Sequence, residues 1–155
     1  MFGLQTLLVA PVLALSAAVP LGPYTFSHQA GQTDLAGGLR LGRHGASHIG
    51  ITTDMLQCQR PGQTPFYPGP PFNWQPQQTV PVRHVKGGLK LSFNGSFRDR
   101  ISGFPERMTL HARITSKGIA GEVCLYADDN VASTGEEICH TRGLIPFKGK
   151  RPGSR

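Results

Sequence analysis

Apolar side chains in this chain recur at every second position far more than at every third or fourth. After Ala18, no stretch of a dozen residues keeps a helical apolar spacing without a Gly or Pro interrupting it. Met108, Leu110, Ala112 and Ile114 alternate with Thr109, His111, Arg113 and Thr115, which predicts a half-buried strand. Ile119, Gly121, Val123 and Leu125 form a second alternating run. A two-residue turn at Lys117-Gly118 sets Ile114 opposite Gly121, Ala112 opposite Val123 and Leu110 opposite Leu125. One face then stays apolar, and on the other Arg113 meets Glu122.

The next strand extends the same sheet if Leu125 lies opposite Ile138, which puts Cys124 opposite Cys139. Directly opposed residues have Cα atoms about 4.5 to 5.5 Å apart, within disulfide reach. The pattern therefore predicts a Cys124–Cys139 disulfide closing the loop from Asp128 to Gly135. Cys58 is left to pair between chains, to stay a free thiol or to exchange with that pair.

Upstream, Leu89, Leu91 and Phe93 alternate into Asn94-Gly95, a strong hairpin signal. A two-residue turn there would misplace Phe97 and Ile101, so the expectation is an odd loop with a bulge. Leu39 and Leu41 pair with Ile51 and Ile49 across the loop from Gly42 to His48, and Val80 to Val85 forms another short strand. The sum is an all-β domain over residues 35–147, a small antiparallel β-sandwich or barrel of about eight strands. Within it, residues 60–78 form a long loop where six prolines interleave with Phe66, Tyr67, Phe72 and Trp74. Residues 148–155 read as a basic, disordered tail.

The first 33 residues carry no Lys, Arg, Asp or Glu, and Leu4 to Ala18 is almost wholly apolar. That run falls short of the roughly 20 apolar residues that span a bilayer. It ends in small residues at Ser16 and Ala18, so residues 1–18 read as a signal peptide cleaved before Val19, and 19–34 as a leader segment. The expected product is secreted and extracellular, with no membrane span.

Composition narrows the class further. Gly and Pro together make 33 of 155 residues, about 21%, below the range of low-complexity disorder, and only 16% of residues are charged. Sixteen Lys and Arg against nine Asp and Glu give a net charge of +7. The charge is segregated. Arg83 to Lys117 holds eight basic residues and two acids, whereas Glu122 to Glu137 holds five acids and no base. A basic surface points to a polyanionic partner such as an anionic glycan or nucleic acid.

Arg43-His44-Gly45 resembles the signature of histidine phosphatases, but that family needs a parallel strand before it and a helix after it, and neither fits here. Tyr126-Ala127-Asp128-Asp129 resembles the catalytic hairpin of reverse transcriptases, yet Asn130 to Glu137 is polar where that family is apolar. The acidic loop around Asp128, Asp129 and Glu136 matches no EF-hand spacing and reads as a solvated loop. Arg107 to Cys139 bears a faint likeness to the strand-and-disulfide core of small fungal ribonucleases. Cys124 to Tyr126 stands where their catalytic histidine belongs, so the resemblance implies a non-catalytic relative.

No nucleophile motif and no cofactor-binding motif is present. The aromatic rings of Phe66, Tyr67, Phe72 and Trp74, with Arg98 and Arg100, are the expected recognition residues, since prolines lower the entropy cost of ordering such a loop. Asn94-Gly95-Ser96 is a glycosylation sequon at the expected turn tip. The leading function is an extracellular binding protein, effector-like or surface-recognising, for an extracellular protein, an anionic glycan or nucleic acid. The apolar leader and small size resemble fungal small secreted proteins in general style. The alternative is a small secreted hydrolase, ribonuclease-like, using His/Glu acid–base chemistry with candidates such as His111 and His140. A structural coat component that self-associates is a third class.

Overall fold

Alternation of buried and exposed positions runs through every long strand. The computed structural model describes residues 18–59, 67–68, 72–98, 103, 105–131, 135–151 and 153, with backbone alone at 33, 67, 68, 72, 128–131 and 135–137. The expected signal peptide therefore lies outside the described residues except for Ala18. The strands are β1 (Gly22–Ala30), β2 (Thr33–Gly42), β3 (Gly45–Thr53), β4 (Leu56–Gln59), β5 (Tyr67–Pro68) and β6 (Phe72–Trp74). They continue as β7 (Val82–Val85), β8 (Gly88–Arg98), β9 (Pro105–Thr115), β10 (Gly118–Val131), β11 (Gly135–Thr141) and β12 (Ile145–Lys150). No helix occurs among the described residues, and none is long and apolar enough to cross a membrane.

The 14-residue β10 organises the sheet. One edge pairs with β9 from Gly118 to Ala127; the other pairs with β12 along its first half and β11 along its second. Three arms result: β9-β8-β7, β12-β1-β2-β3-β6 and β11-β4-β5, all antiparallel. The sheet curls into a half-barrel, the barrel-like all-β class that the alternation predicts. Ala46 of β3 and Val80, two residues before β7, form an isolated bridge with two 2.8 Å backbone hydrogen bonds. Gly45 makes that approach possible, because its φ is 137° and a Cβ there would collide with the Val80 carbonyl.

Inward-facing residues from all arms fill the curl: Leu91, Leu110 and Ile114 from the first, Val123 and Leu125 from β10 itself, Tyr24, Phe26 and Phe147 from the second, and Leu56, Cys58 and Cys139 from the third. The Phe26 and Phe147 rings stack with centroids 4.3 Å apart. Buried Thr53 and Thr141 are hydrogen-bonded. Thr53 Oγ1 donates to the Asp34 carbonyl at 2.7 Å, and Thr141 Oγ1 donates to the Gly143 carbonyl at 2.9 Å while accepting from the Leu125 amide.

The buried Tyr24 hydroxyl donates to the Pro20 carbonyl at 2.7 Å. Burial holds its pKa above the ordinary 10.0, and the Arg151 guanidinium only partly offsets this. The folded state thus keeps the proton that the unfolded chain gives up. Its contribution is intact below the ordinary tyrosine pKa and is lost as pH rises through the raised value. Thermal melts across the alkaline range should show a steeper loss of stability for the native chain than for Tyr24→Phe.

Several expected pairings are displaced. The β9–β10 turn is Ser116-Lys117, so Ile114 faces Ile119, Leu110 faces Val123, and Arg113 faces Ala120 rather than Glu122. Asn94-Gly95 is not a turn. β8 runs straight through it, with Leu89, Leu91, Phe93 and Phe97 all on the inner side. An uninterrupted strand satisfies the same parity without a bulged loop, and Ile101 lies outside the described residues. Leu41 pairs with Ala46 across an Arg43-His44 turn, and a β-bulge that sets His48 and Ile49 opposite Leu39 lets Ala46 and Ile49 both point inward.

Within the segment 19–34, β1 is hydrogen-bonded between β12 and β2. Residues 148–150 of the expected tail are the end of β12.

The disulfide joins Cys58 to Cys139, not Cys124 to Cys139. The β10–β11 register sets Cys139 opposite Ala127, three places from the expected pairing. An odd displacement swaps faces, so Cys139 points inward to Cys58 on β4, its direct cross-strand partner, while Cys124 stays a free, half-buried thiol on the outer side.

Candidate polyanion interface

The tight β7–β8 hairpin turns at Lys86-Gly87, which places Arg83 directly opposite Lys90. The β8–β9 register places Lys90 opposite Arg113, β10 contributes Ala120 at the same level, and β12 adds Lys148. Residues opposed in this way share a face, and all five are exposed, so they form one row across five strands on the outer surface. Strands sit about 4.8 Å apart, so the row spans roughly 19 Å.

Two hollows follow this row. One, of about 560 Å³, is lined by Lys90, His111, Arg113, Ala120 and Glu122; the other, of about 250 Å³, by Arg113, Lys117, Ala120 and Lys148. Small Ala120 opens the floor of both, and Arg113 stands between them. Its Nη2 donates to the Lys86 carbonyl, which ties the guanidinium to the β7–β8 turn. Glu122 is the one carboxylate lining either hollow among the described residues.

The electrostatics of the row are unfavourable for the free protein. Like charges directly opposite across antiparallel strands destabilise, and here Lys90 is flanked by arginines on both sides. An anion laid along the row relieves both repulsions while gaining charge-assisted hydrogen bonds.

The adjacent row holds Ser92, His111 and Glu122, again in direct register. Ser92 Oγ and His111 Nδ1 are 2.8 Å apart, which fixes the imidazole. His140 is elsewhere. It lies on β11 opposite Tyr126, with Nδ1 against the Thr141 carbonyl at 2.9 Å, so the two histidines share no site.

The recognition residues expected from sequence do not converge on this face. Trp74 is fully buried at 0% exposure, and its indole N–H donates to the Tyr126 carbonyl at 3.4 Å. It works as a core residue, which corrects its assignment to surface recognition. Tyr67 and Phe72 enter strands β5 and β6, but their side chains, like Phe66 and Arg100, lie outside the described residues. Arg98 ends β8, eight residues and about 27 Å along the strand from Lys90. Its guanidinium donates to the Gly103 carbonyl at 2.9 Å, closing its own turn.

Asn94 is exposed in mid-strand rather than at a turn tip, with Thr109 Oγ1 donating to its Oδ1 at 3.4 Å. Arg43 and His44 form the β2–β3 turn. Among the described residues no three His, Cys, Asp or Glu side chains gather as a metal site. The side chains of Asp128, Asp129 and Glu136 lie outside that description.

Sequence reasoning missed the row, although its signal was present. The dense basic stretch from Arg83 was evident, and a turn placed at Lys86-Gly87 pairs Arg83 with Lys90 by counting outward. Comparison with protein families, curated proteins and solved structures finds no match to this chain.

Proposed function

We propose that this chain is a secreted binding protein that holds an anionic glycan along the outer face of β7, β8, β9, β10 and β12. The observation that carries this reading is the row of Arg83, Lys90, Arg113 and Lys148, with like charges directly opposed. Retaining such repulsion makes physical sense where a polyanion neutralises it. A glycan is favoured over single-stranded nucleic acid because no Phe, Tyr or Trp ring lines either hollow to stack a base. The disulfide supports export, since such bonds persist in oxidising compartments.

The test is a titration with a heparin dodecasaccharide at rising salt, against an oligothymidylate of equal charge. The expected result is heparin binding that weakens steeply with salt and exceeds oligothymidylate binding. Absent or salt-insensitive heparin binding would refute the reading.

A second reading is supported by one observation. His111 and Glu122 are direct neighbours in the same hollow as Lys90 and Arg113, the residue types that acid–base cleavage of a phosphodiester uses. RNA turnover that His111→Ala abolishes, with RNA binding retained, would favour it. No turnover by the native chain would exclude it.

A further inference from the structure

On the edge facing away from β2, strand β3 is engaged twice: Ile51 pairs with Trp74 of β6, and Ala46 pairs with Val80. Between these points four residues, 47–50, face five, 75–79, and among the described residues no strand pairing joins them. The ladder opens there into a hollow of about 460 Å³, within the roughly 300–1,000 Å³ of small-molecule sites.

We infer that this interrupted ladder is a binding site for a neutral sugar unit, separate from the basic row. The lining carries the argument. Ser47, Thr79, Gln75 and Gln77 each offer both a donor and an acceptor, which matches sugar hydroxyls that do the same. No Lys, Arg, Asp or Glu lines the hollow, so no fixed charge in it selects an ion. Open ladder positions on β3 add backbone groups to the same wall.

The backbone supplies an independent sign. His48 has φ of 50°, the only positive value at a non-glycine among the described residues, and it sits at the β3 bulge that borders the hollow. Glycine would adopt that conformation without steric cost, and retained strain of this kind clusters at ligand sites. The ring is held by Ser47, whose Oγ lies 3.1 Å from His48 Nδ1. The histidine side chain is therefore kept at a position where folding alone favours glycine.

The experiment titrates the whole chain with maltotriose and with tri-N-acetylchitotriose to millimolar concentration, following backbone amide shifts by NMR. At least one sugar should move amides of 47–50, 75 and 77–79 and leave the β8–β9 strands unmoved. The double variant Gln75→Ala/Gln77→Ala, on exposed positions, should keep its dispersed spectrum and bind at least tenfold more weakly. His48→Gly should melt no lower than the native chain yet bind more weakly. The inference is overturned if neither sugar moves these amides, if the shifts lie elsewhere, or if the double variant binds as well as the native chain.

Discussion

Replacing Cys58 or Cys139 by serine should lower unfolding stability by about 4 kcal/mol, while Cys124→Ser should change it by roughly 0.5 kcal/mol or less. The bond closes a loop of 81 residues, and loops of that length lose much denatured-state entropy when cross-linked. Both sulfurs are fully buried, so a serine hydroxyl at either site would also need a hydrogen-bond partner inside the curl. The bond further ties β4, and through it β5, to β11, which is that arm's attachment to the sheet. Cys124 instead sits half-buried on the outer side, its sulfur 3.6 Å from Thr141 Oγ1.

A domain of this size has about 5–15 kcal/mol of stability in all, so the expected loss is a large fraction of it. Urea melts of the three single variants measure the difference. Equal losses for Cys124→Ser and Cys139→Ser would restore the pairing that the alternation predicted.

Lys90→Glu should move stability and polyanion binding in opposite directions. The residue lies directly between Arg83 and Arg113, so the change turns two repulsive cross-strand contacts into two attractive ones. Each such contact is worth roughly 0.2–1 kcal/mol, so the variant should melt slightly higher than the native chain. Heparin affinity should fall at least tenfold, because the centre of the row would then repel the ligand. A merely structural role for Lys90 predicts no change in affinity, and a general loss of fold predicts a lower melting point. Only a binding role predicts both movements together.

The fold class was legible because alternation survives register error when the error is even. The β9–β10 hairpin shows this. Moving the turn from Lys117-Gly118 to Ser116-Lys117 shifts every pair by two, so Leu110 and Ile114 remain inside and only their partners change. The β10–β11 error was odd, and it exchanged the faces of Ile138 and Cys139 and with them the disulfide. No local rule links Cys58 to Cys139, since β4 meets β11 only through the long-range order of the sheet.

Asn94-Gly95 misled for a related reason. Its turn propensity is intrinsic, but β9 offers partners along all of β8, and tertiary pairing outweighs a local preference of that size. Trp74 looked like a surface anchor because its neighbours are prolines, whereas its ring belongs to the core through the β3–β6 pair. The basic row needed four registers at once. Two of them, at the β7–β8 and β9–β10 turns, are tight hairpins set locally, and the second differs from the expected turn by enough to move Ala120 into the place of Glu122; the β8–β9 and β10–β12 registers depend on longer connections.

Lysine footprinting in the presence of a heparin dodecasaccharide tests most directly where the polyanion lies. Acetylation rates at each lysine would be compared with and without the glycan, using the native disulfide-bonded chain. Strong protection is expected at Lys90 and Lys148, the exposed lysines of the row on β8 and β12. Unchanged rates at both, with the glycan bound, would place the interface elsewhere and contradict the proposal.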